Sequence, residues 1–196
     1  MFWRHMRVIG FNGSPRIIGN TSTALNVVLD ELEMEGIETE HIQLFSSELL
    51  PCNACMSCSL RGDGRCINEN DALNGYIEKI LEADAIILAS PVYYGCMTSM
   101  MKIFLERVGL SSKYANNQLR RKIGAVIAVQ GRQGGSAVHS QLVNFLLENQ
   151  MVVSPSSGCM IVTAEKPNDL EKDTTGLRLL KDQGKELAWI LRSLNG

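Results

Sequence analysis

The sequence lacks a strong excess of either charge, and it lacks any long apolar run. Nineteen Lys and Arg residues against twenty-one Asp and Glu residues leave a formal charge of −2, which offers no attraction to nucleic acid or to an anionic membrane surface. No segment approaches the roughly 20 apolar residues of a membrane-spanning helix, and the residues before the first strand-like segment, RVIGF, lack the pattern of a signal peptide, so we expect none. We therefore expect a cytoplasmic protein with no nucleic-acid partner and no membrane partner.

Two common nucleotide-binding motifs are also missing from the first glycine-rich stretch, GFNGSPRIIGN at residues 10–20. It has neither the G-x-G-x-x-G spacing of a dinucleotide site nor the Gly-Lys-Ser/Thr of a P-loop. A Rossmann dinucleotide site and a P-loop site are therefore both excluded at this position.

Strand-like and helix-like segments alternate along the chain, and this alternation predicts a doubly wound α/β domain. Parallel strands need crossover connections, and right-handed crossovers place helices on both faces of the sheet. Gly36 and Gly109 are expected to close the first and third helices. We predict a single domain over residues 1–196. The predicted strands are 7–11, 39–45, 84–90, 122–130 and 151–162, the last interrupted at Pro155, and the predicted helices are 21–36, 71–83, 98–109, 136–150 and 170–194.

The loop after the first strand has the composition of a phosphate site. It lies where open parallel sheets bind ligands, at the carboxyl end of a strand. The loop and the first residues of the helix carry short hydroxyl and amide side chains, and Arg16 adds a positive charge. The helix N-terminus offers unpaired N–H groups. The simpler alternative is that Asn20 or Thr21 merely caps the helix. The candidate phosphate-binding residues are Ser14, Arg16, Asn20, Thr21 and Ser22.

The loop after the third strand, PVYYG at residues 91–95, is a second candidate site. Two tyrosines and a glycine supply flat surfaces and room for the backbone to approach a planar ring, although a Tyr-Tyr pair also suits a dimer contact. The glycine-rich turn from Gly131 to Gly135 is either a third wall of this site or a plain tight turn.

These residues resemble the flavodoxin-like NAD(P)H-dependent flavin reductases. The resemblance rests on GSPRIIGNTSTAL, on ADAIILASPVYYG and on the lysine of MTSMMKIFLERVG, which occur in the family's order. It implies a five-stranded parallel sheet of order 2-1-3-4-5 and an FMN cofactor. It also implies that the first loop binds the FMN phosphate and that the second lies along the isoalloxazine ring. The ring-binding residues implied are Pro91, Val92, Tyr93, Tyr94 and Gly95, and Gly131 is a further candidate.

Four of the six cysteines lie within fifteen positions of the long segment 46–70. Cys52, Cys55, Cys58 and Cys66 form C-x2-C-x2-C-x7-C, which is close in kind to the three-plus-one spacing of four-iron clusters. Zinc is the rival metal, although structural zinc usually uses two separated C-x2-C pairs. The same four cysteines could also be free thiols or could pair as disulfides, and a reducing cytosol disfavours disulfides.

The cysteine motif inside such a domain resembles the iron–sulfur flavoproteins of anaerobes, although the segment Asn68 to Asp71 replaces the paired acids often found after the last cysteine. The resemblance implies a [4Fe–4S] cluster beside FMN, a homodimer or homotetramer, and electron transfer with a redox partner such as ferredoxin or NAD(P)H. Two rival functions remain open. One is an NAD(P)H-dependent quinone, nitro or flavin reductase without a cluster, and the second is a non-catalytic thiol redox sensor.

Overall fold

A computed structural model describes residues 6–195, and a parallel β-sheet lies at its centre. None of the helices in this range has both the length and the apolar character required to cross a membrane. The strands are β1 (Arg7–Asn12), β2 (Glu38–Gln43), β3 (Ala85–Pro91), β4 (Ile123–Gln130), β5 (Val152–Val153) and β6 (Ile161–Thr163). The helices are α1 (Asn20–Met34), α2 (Ser57–Arg61), α3 (Leu73–Glu82), α4 (Ser99–Tyr114), α5 (Gly135–Glu148) and α6 (Thr174–Asn195).

The strand order is β2-β1-β3-β4-β5, with every pairing parallel, as the flavodoxin-like prediction required. The predicted last strand is divided in two. β5 pairs with the start of β4, and β6 pairs with its end. The chain leaves the sheet between them at Pro155, because proline has no N–H to donate to a neighbouring strand.

Side chains alternate across the central strands, so both faces of the sheet are covered. Val8 and Ile87 belong to a buried cluster formed with α1 and α6. Ile9, Phe11 and Leu88 belong to the cluster on the opposite face, which α3, α4 and α5 cover. This arrangement confirms the doubly wound fold.

The third predicted helix does not end at Gly109, and that prediction was wrong. α4 continues to Tyr114. A Cβ atom at Gly109 would lie 3.3 Å from the Phe145 ring and 3.6 Å from the Asn149 side-chain nitrogen. The glycine therefore allows α5 to pack closely against α4, and it does not cap a helix.

The carboxyl ends of β1, β3, β4 and β6 share one edge of the sheet, because the strands are parallel and in register. The loops that follow Asn12, Pro91, Gln130 and Thr163 meet at this edge. The cysteine-bearing segment lies elsewhere in the chain order, between β2 and α3, and its middle forms the short helix α2.

Candidate functional site

A cavity of about 220 Å³ opens at this edge of the sheet, and we call it the sheet-edge cavity. Eight of the eleven predicted FMN-site residues line it, whereas Ser22, Tyr94 and Gly95 do not. Four separate loops contribute, which is the arrangement expected at the ligand-binding edge of an open α/β sheet. The lining residues are Ser14, Arg16, Gly19, Asn20, Thr21, Pro91, Val92, Tyr93, Val129, Gly131, Ala164 and Glu165.

Side chains from the neighbouring strands hold the loop after β1 in place. The buried Asn12 accepts a hydrogen bond from the Ser14 N–H at 2.9 Å through its Oδ1 atom. Gln43, at the end of β2, donates its side-chain amide to the Ser14 carbonyl. The Ser14 hydroxyl in turn accepts from the Arg16 N–H at 3.1 Å. These bonds fix the loop before any ligand is bound.

The N-terminus of α1 is open toward a ligand. Its N-cap residue is Gly19, whose backbone is extended, and among the described residues no side chain caps the helix. The hypothesis that Asn20 or Thr21 acts only as a cap therefore does not describe this helix. With no acidic residue in the first turn, the N–H groups and the positive end of the helix dipole are left for an anion.

Asn20 has a role that its sequence context did not reveal. Its side-chain amide donates to the Lys166 carbonyl at 2.8 Å and to the Ala164 carbonyl at 3.4 Å. Its Oδ1 atom is buried, and within residues 6–195 it has no hydrogen-bond partner. Asn20 thus ties the segment after β6 to the start of α1, and this brings Glu165 to the cavity wall.

The loop after β3 folds back on itself in a two-residue turn. Tyr93 and Cys96 exchange backbone hydrogen bonds of 2.9 and 3.0 Å across Tyr94 and Gly95, both of which have positive φ angles. The Tyr93 side chain borders the cavity, whereas Tyr94 is fully exposed.

The glycine-rich turn after β4 packs against this loop. Gly134 has a φ of +91°, and a Cβ atom there would lie 2.7 Å from the Val92 Cγ1 atom. Gly131 lines the sheet-edge cavity directly. The turn is therefore a wall of the cavity, which was one of the two interpretations that its sequence allowed.

A second cavity, of about 190 Å³, is lined by all four cysteines of the motif, and we call it the cysteine cavity. Ala54 and Met56 adopt left-handed backbone conformations, which are uncommon for residues with a side chain and turn the loop sharply. One face of α4 closes the cavity. Beside Cys52, Cys55, Cys58 and Cys66, its lining residues are Pro51, Asn53, Ala54, Met56, Ile67, Asn68, Glu106, Arg107, Leu110, Ser111 and Tyr114.

All four thiols of the motif line this one cavity. In the part of the chain that the structure describes, no three His, Cys, Asp or Glu side chains are close enough together to hold a single metal ion. A zinc site needs four ligands at about 2.0–2.3 Å from one point. A four-iron cluster instead takes one thiolate at each iron, so its ligands stand around a volume. Four cysteines supply the number and the type of ligand that either group uses.

Two thiols of the motif accept hydrogen bonds, and those to Cys55 favour its thiolate form, which is the form that binds metal. Hydrogen bonds from the Ser57 side chain and backbone lower the pKa of Cys55. The Cys66 Sγ atom accepts a hydrogen bond of 3.1 Å from Nη2 of Arg107. Cys66 is held further by Asn74, which accepts from its N–H and donates to its carbonyl, both at 2.9 Å.

Arg107 forms a buried ion pair with Asp71 beside the cysteine cavity. Their side chains are 2 % and 0 % exposed. Burial alone would raise the pKa of Asp71, but hydrogen bonds from Arg107 and from the Leu50 and Leu73 N–H groups outweigh it, and this pKa is lowered. Asp71 is therefore a carboxylate at neutral pH. The sequence signals this pair only through an arginine at a position of α4 that the helical pattern buries. That pattern does not identify Asp71 as the partner of Arg107.

The comparisons with known proteins identify the family of this chain. The sequence profile of the NADPH-dependent FMN reductase family matches residues 6–166. An iron–sulfur flavoprotein of Methanocaldococcus jannaschii is 34% identical over 95% of this chain and 98% of its own length. An iron–sulfur flavoprotein of Methanosarcina thermophila is 30% identical over 95% of each chain. A flavodoxin from the domain Archaea superposes with a TM-score of 0.64 at 16% identity, covering 95% of this chain and 99% of its own, which shows a shared fold.

Proposed function

This chain belongs to the iron–sulfur flavoproteins of the NADPH-dependent FMN reductase family, and we propose that it transfers electrons between FMN and a [4Fe–4S] cluster. It is an FMN-dependent oxidoreductase. In this proposal the sheet-edge cavity holds FMN, and Cys52, Cys55, Cys58 and Cys66 hold the cluster. The observation that carries it is that these four thiols line one cavity in a domain of the FMN reductase family. FMN exchanges one or two electrons and the cluster exchanges one.

The sheet-edge cavity suits FMN because its polar and apolar parts match those of the cofactor. The open N-terminus of α1, the hydroxyls of Ser14 and Thr21 and the charge of Arg16 suit the phosphate. The buried Asn20 Oδ1 atom lacks a donor and suits a ribityl hydroxyl. The 91–95 loop and Gly131 supply surfaces for the isoalloxazine ring.

The remaining parts of the proposal follow from the family resemblance. We propose a homodimer or homotetramer in which the cluster of one subunit approaches the FMN of another, with ferredoxin or NAD(P)H as the redox partner. We also propose a cytoplasmic location, where the thiols stay reduced until the cluster is assembled.

The test is cofactor analysis of the protein purified without oxygen. The proposal expects one FMN with about four iron and four acid-labile sulfide per chain, together with broad absorption near the flavin bands. FMN without iron, or with zinc, would favour an NAD(P)H-dependent reductase lacking a cluster. A protein that bound no flavin would contradict the proposal as a whole.

Replacing Arg16 by alanine is expected to weaken FMN binding by about 1.5–3 kcal/mol, which is roughly a 10- to 150-fold rise in Kd, because a charge-assisted contact to the phosphate is lost. Arg16 lines the sheet-edge cavity and its side chain is exposed, so the fold does not depend on it. Fluorescence titration of the flavin-free protein measures the change. Arg178→Ala removes the same charge from an exposed position on α6 and serves as the control. Equal affinities for the two variants would contradict the phosphate assignment.

A further inference from the structure

Arg107 makes more contacts than a buried ion pair alone requires. It lies on α4 with 3% of its surface exposed. Its Nη1 atom donates to Asp71 and, at 2.9 Å, to the Leu50 carbonyl. Its Nη2 atom donates to the Asp71 Oδ1 atom at 3.3 Å and to the Cys66 Sγ atom at 3.1 Å. One guanidinium thus joins both ends of the cysteine-bearing segment and one of its thiols.

The ion pair orients the guanidinium toward the sulfur. Asp71 is itself fixed, because it accepts the N–H groups of Leu50 at 3.0 Å and Leu73 at 3.2 Å. With the carboxylate engaging both Nη atoms, the planar guanidinium has one orientation, and this orientation aims an N–H of Nη2 at Cys66. Cys55, by contrast, receives its side-chain hydrogen bond from the neutral Ser57.

A cationic donor on a ligand sulfur affects the oxidised and reduced states of a cluster differently. Reduction adds negative charge to the iron–sulfur unit. A buried positive N–H group on a ligand thiolate stabilises the more negative state, and hydrogen bonds to sulfur are one of the means by which proteins set cluster potentials. Burial strengthens the effect, since water does not screen the guanidinium.

We propose that Arg107 is a positioning residue that raises the reduction potential of the cluster by donating a hydrogen bond to Cys66, with Asp71 fixing its direction. This inference rests on the proposed function, since it requires the four cysteines to hold a cluster.

The test is an anaerobic redox titration of Arg107→Gln and Arg107→Lys, with the reduced cluster followed by electron paramagnetic resonance and FMN followed by its visible absorption. Arg107→Gln is expected to make cluster reduction at least about tenfold less favourable, which is about 59 mV for one electron. Arg107→Lys keeps the charge but loses the planar guanidinium with its paired donors. The reduction potential of the cluster should therefore shift in the same direction by a smaller amount. The FMN potential should stay unchanged in both variants.

Arg65→Gln is the matched control. Arg65 is adjacent to Cys66 in sequence and pairs with Glu78, but its side chain is 42% exposed. This variant removes the same charge beside the same ligand without removing the hydrogen bond to the sulfur. Its cluster potential should remain near that of the wild type. An equal shift in Arg65→Gln and Arg107→Gln would overturn the proposal, because net charge alone would then account for the effect.

The Asp71→Asn/Arg107→Gln double variant covers the case in which Arg107→Gln alone loses its iron. The double variant leaves no buried carboxylate without a partner, so the cause of iron loss in the single variant is removed. Retained iron with a negative shift in the double variant supports the role of Arg107. Loss of iron from the Lys, Gln and double variants alike would assign Arg107 a structural role only and overturn the inference. A wild-type protein without iron would instead show that the proposed function itself fails.

Discussion

Replacing Cys66 by alanine is expected to remove the proposed [4Fe–4S] cluster and to leave FMN bound. Cys66 is the one proposed ligand outside the close C-x2-C-x2-C repeat, so its role tests whether four thiolates are needed. The structure gives it more support than its position in the sequence suggested. Asn74 fixes its backbone and Arg107 its thiol. A cluster deprived of this ligand should degrade and release its iron.

FMN should remain because, within residues 6–195, none of the residues that line the sheet-edge cavity belongs to the cysteine-bearing segment. The loop after β1 is fixed by Asn12, by Gln43 and by the Thr98 hydroxyl, which donates to the Gly13 carbonyl at 2.6 Å. None of these residues belongs to the cysteine-bearing segment. We therefore expect the flavin content to be unchanged while iron and sulfide fall to near zero.

The measurement is the stoichiometry of iron, sulfide and flavin in proteins prepared without oxygen. Cys159→Ala is the matched control, because Cys159 is an exposed free thiol that lines neither cavity. This control should keep the wild-type content of all three components. Full iron content in Cys66→Ala would refute the four-cysteine assignment. A joint loss of FMN would show that the cysteine-bearing segment also shapes the flavin site.

The sheet could be predicted from the sequence because its signals are local. Buried parallel strands appear as short apolar runs such as AIILAS, and each one is followed by a loop and a helical repeat. Strand order came from the family resemblance. The errors arose where a local signal had a tertiary cause. Gly109 resembles a helix C-cap, yet it is there because Phe145 packs against it.

The candidate-site residues likewise fall into two groups, those that a local sequence signal identifies and those that only a tertiary contact places. Position and composition identify the loops after β1 and β3, the family resemblance implies the ring-binding residues, and eight of the eleven predicted residues meet in the sheet-edge cavity. Glu165 was missed because the Asn20 hydrogen bonds to the Ala164 and Lys166 carbonyls bring it to the cavity, and no local pattern encodes these contacts. The contact between Arg107 and Cys66 was missed because 41 residues separate the two partners, and no local pattern encodes such a pairing.

Replacing Asp71 by alanine is expected to lower the free energy of unfolding by about 3–5 kcal/mol, since it leaves Arg107 buried without its counter-ion. The Leu50 and Leu73 N–H groups would also lose their acceptor. Asp63→Ala is the control in the same segment. Asp63 pairs with Arg61 at 2.8 Å, but these side chains are 42% and 35% exposed, so the loss of this pair should have little effect on stability.

The two Asp variants are compared by urea unfolding under anaerobic conditions, with FMN bound and far-UV circular dichroism as the signal. A second variant separates an unpaired charge from simple loss of packing. Replacing a whole buried pair by apolar groups is often close to neutral, so Asp71→Ala/Arg107→Met should be clearly more stable than Asp71→Ala. If the double variant were the less stable of the two, then the cost would come from packing and not from the unpaired guanidinium. Equal stability of Asp71→Ala and Asp63→Ala would instead mean that water reaches the Arg107–Asp71 pair, which the burial of both side chains argues against.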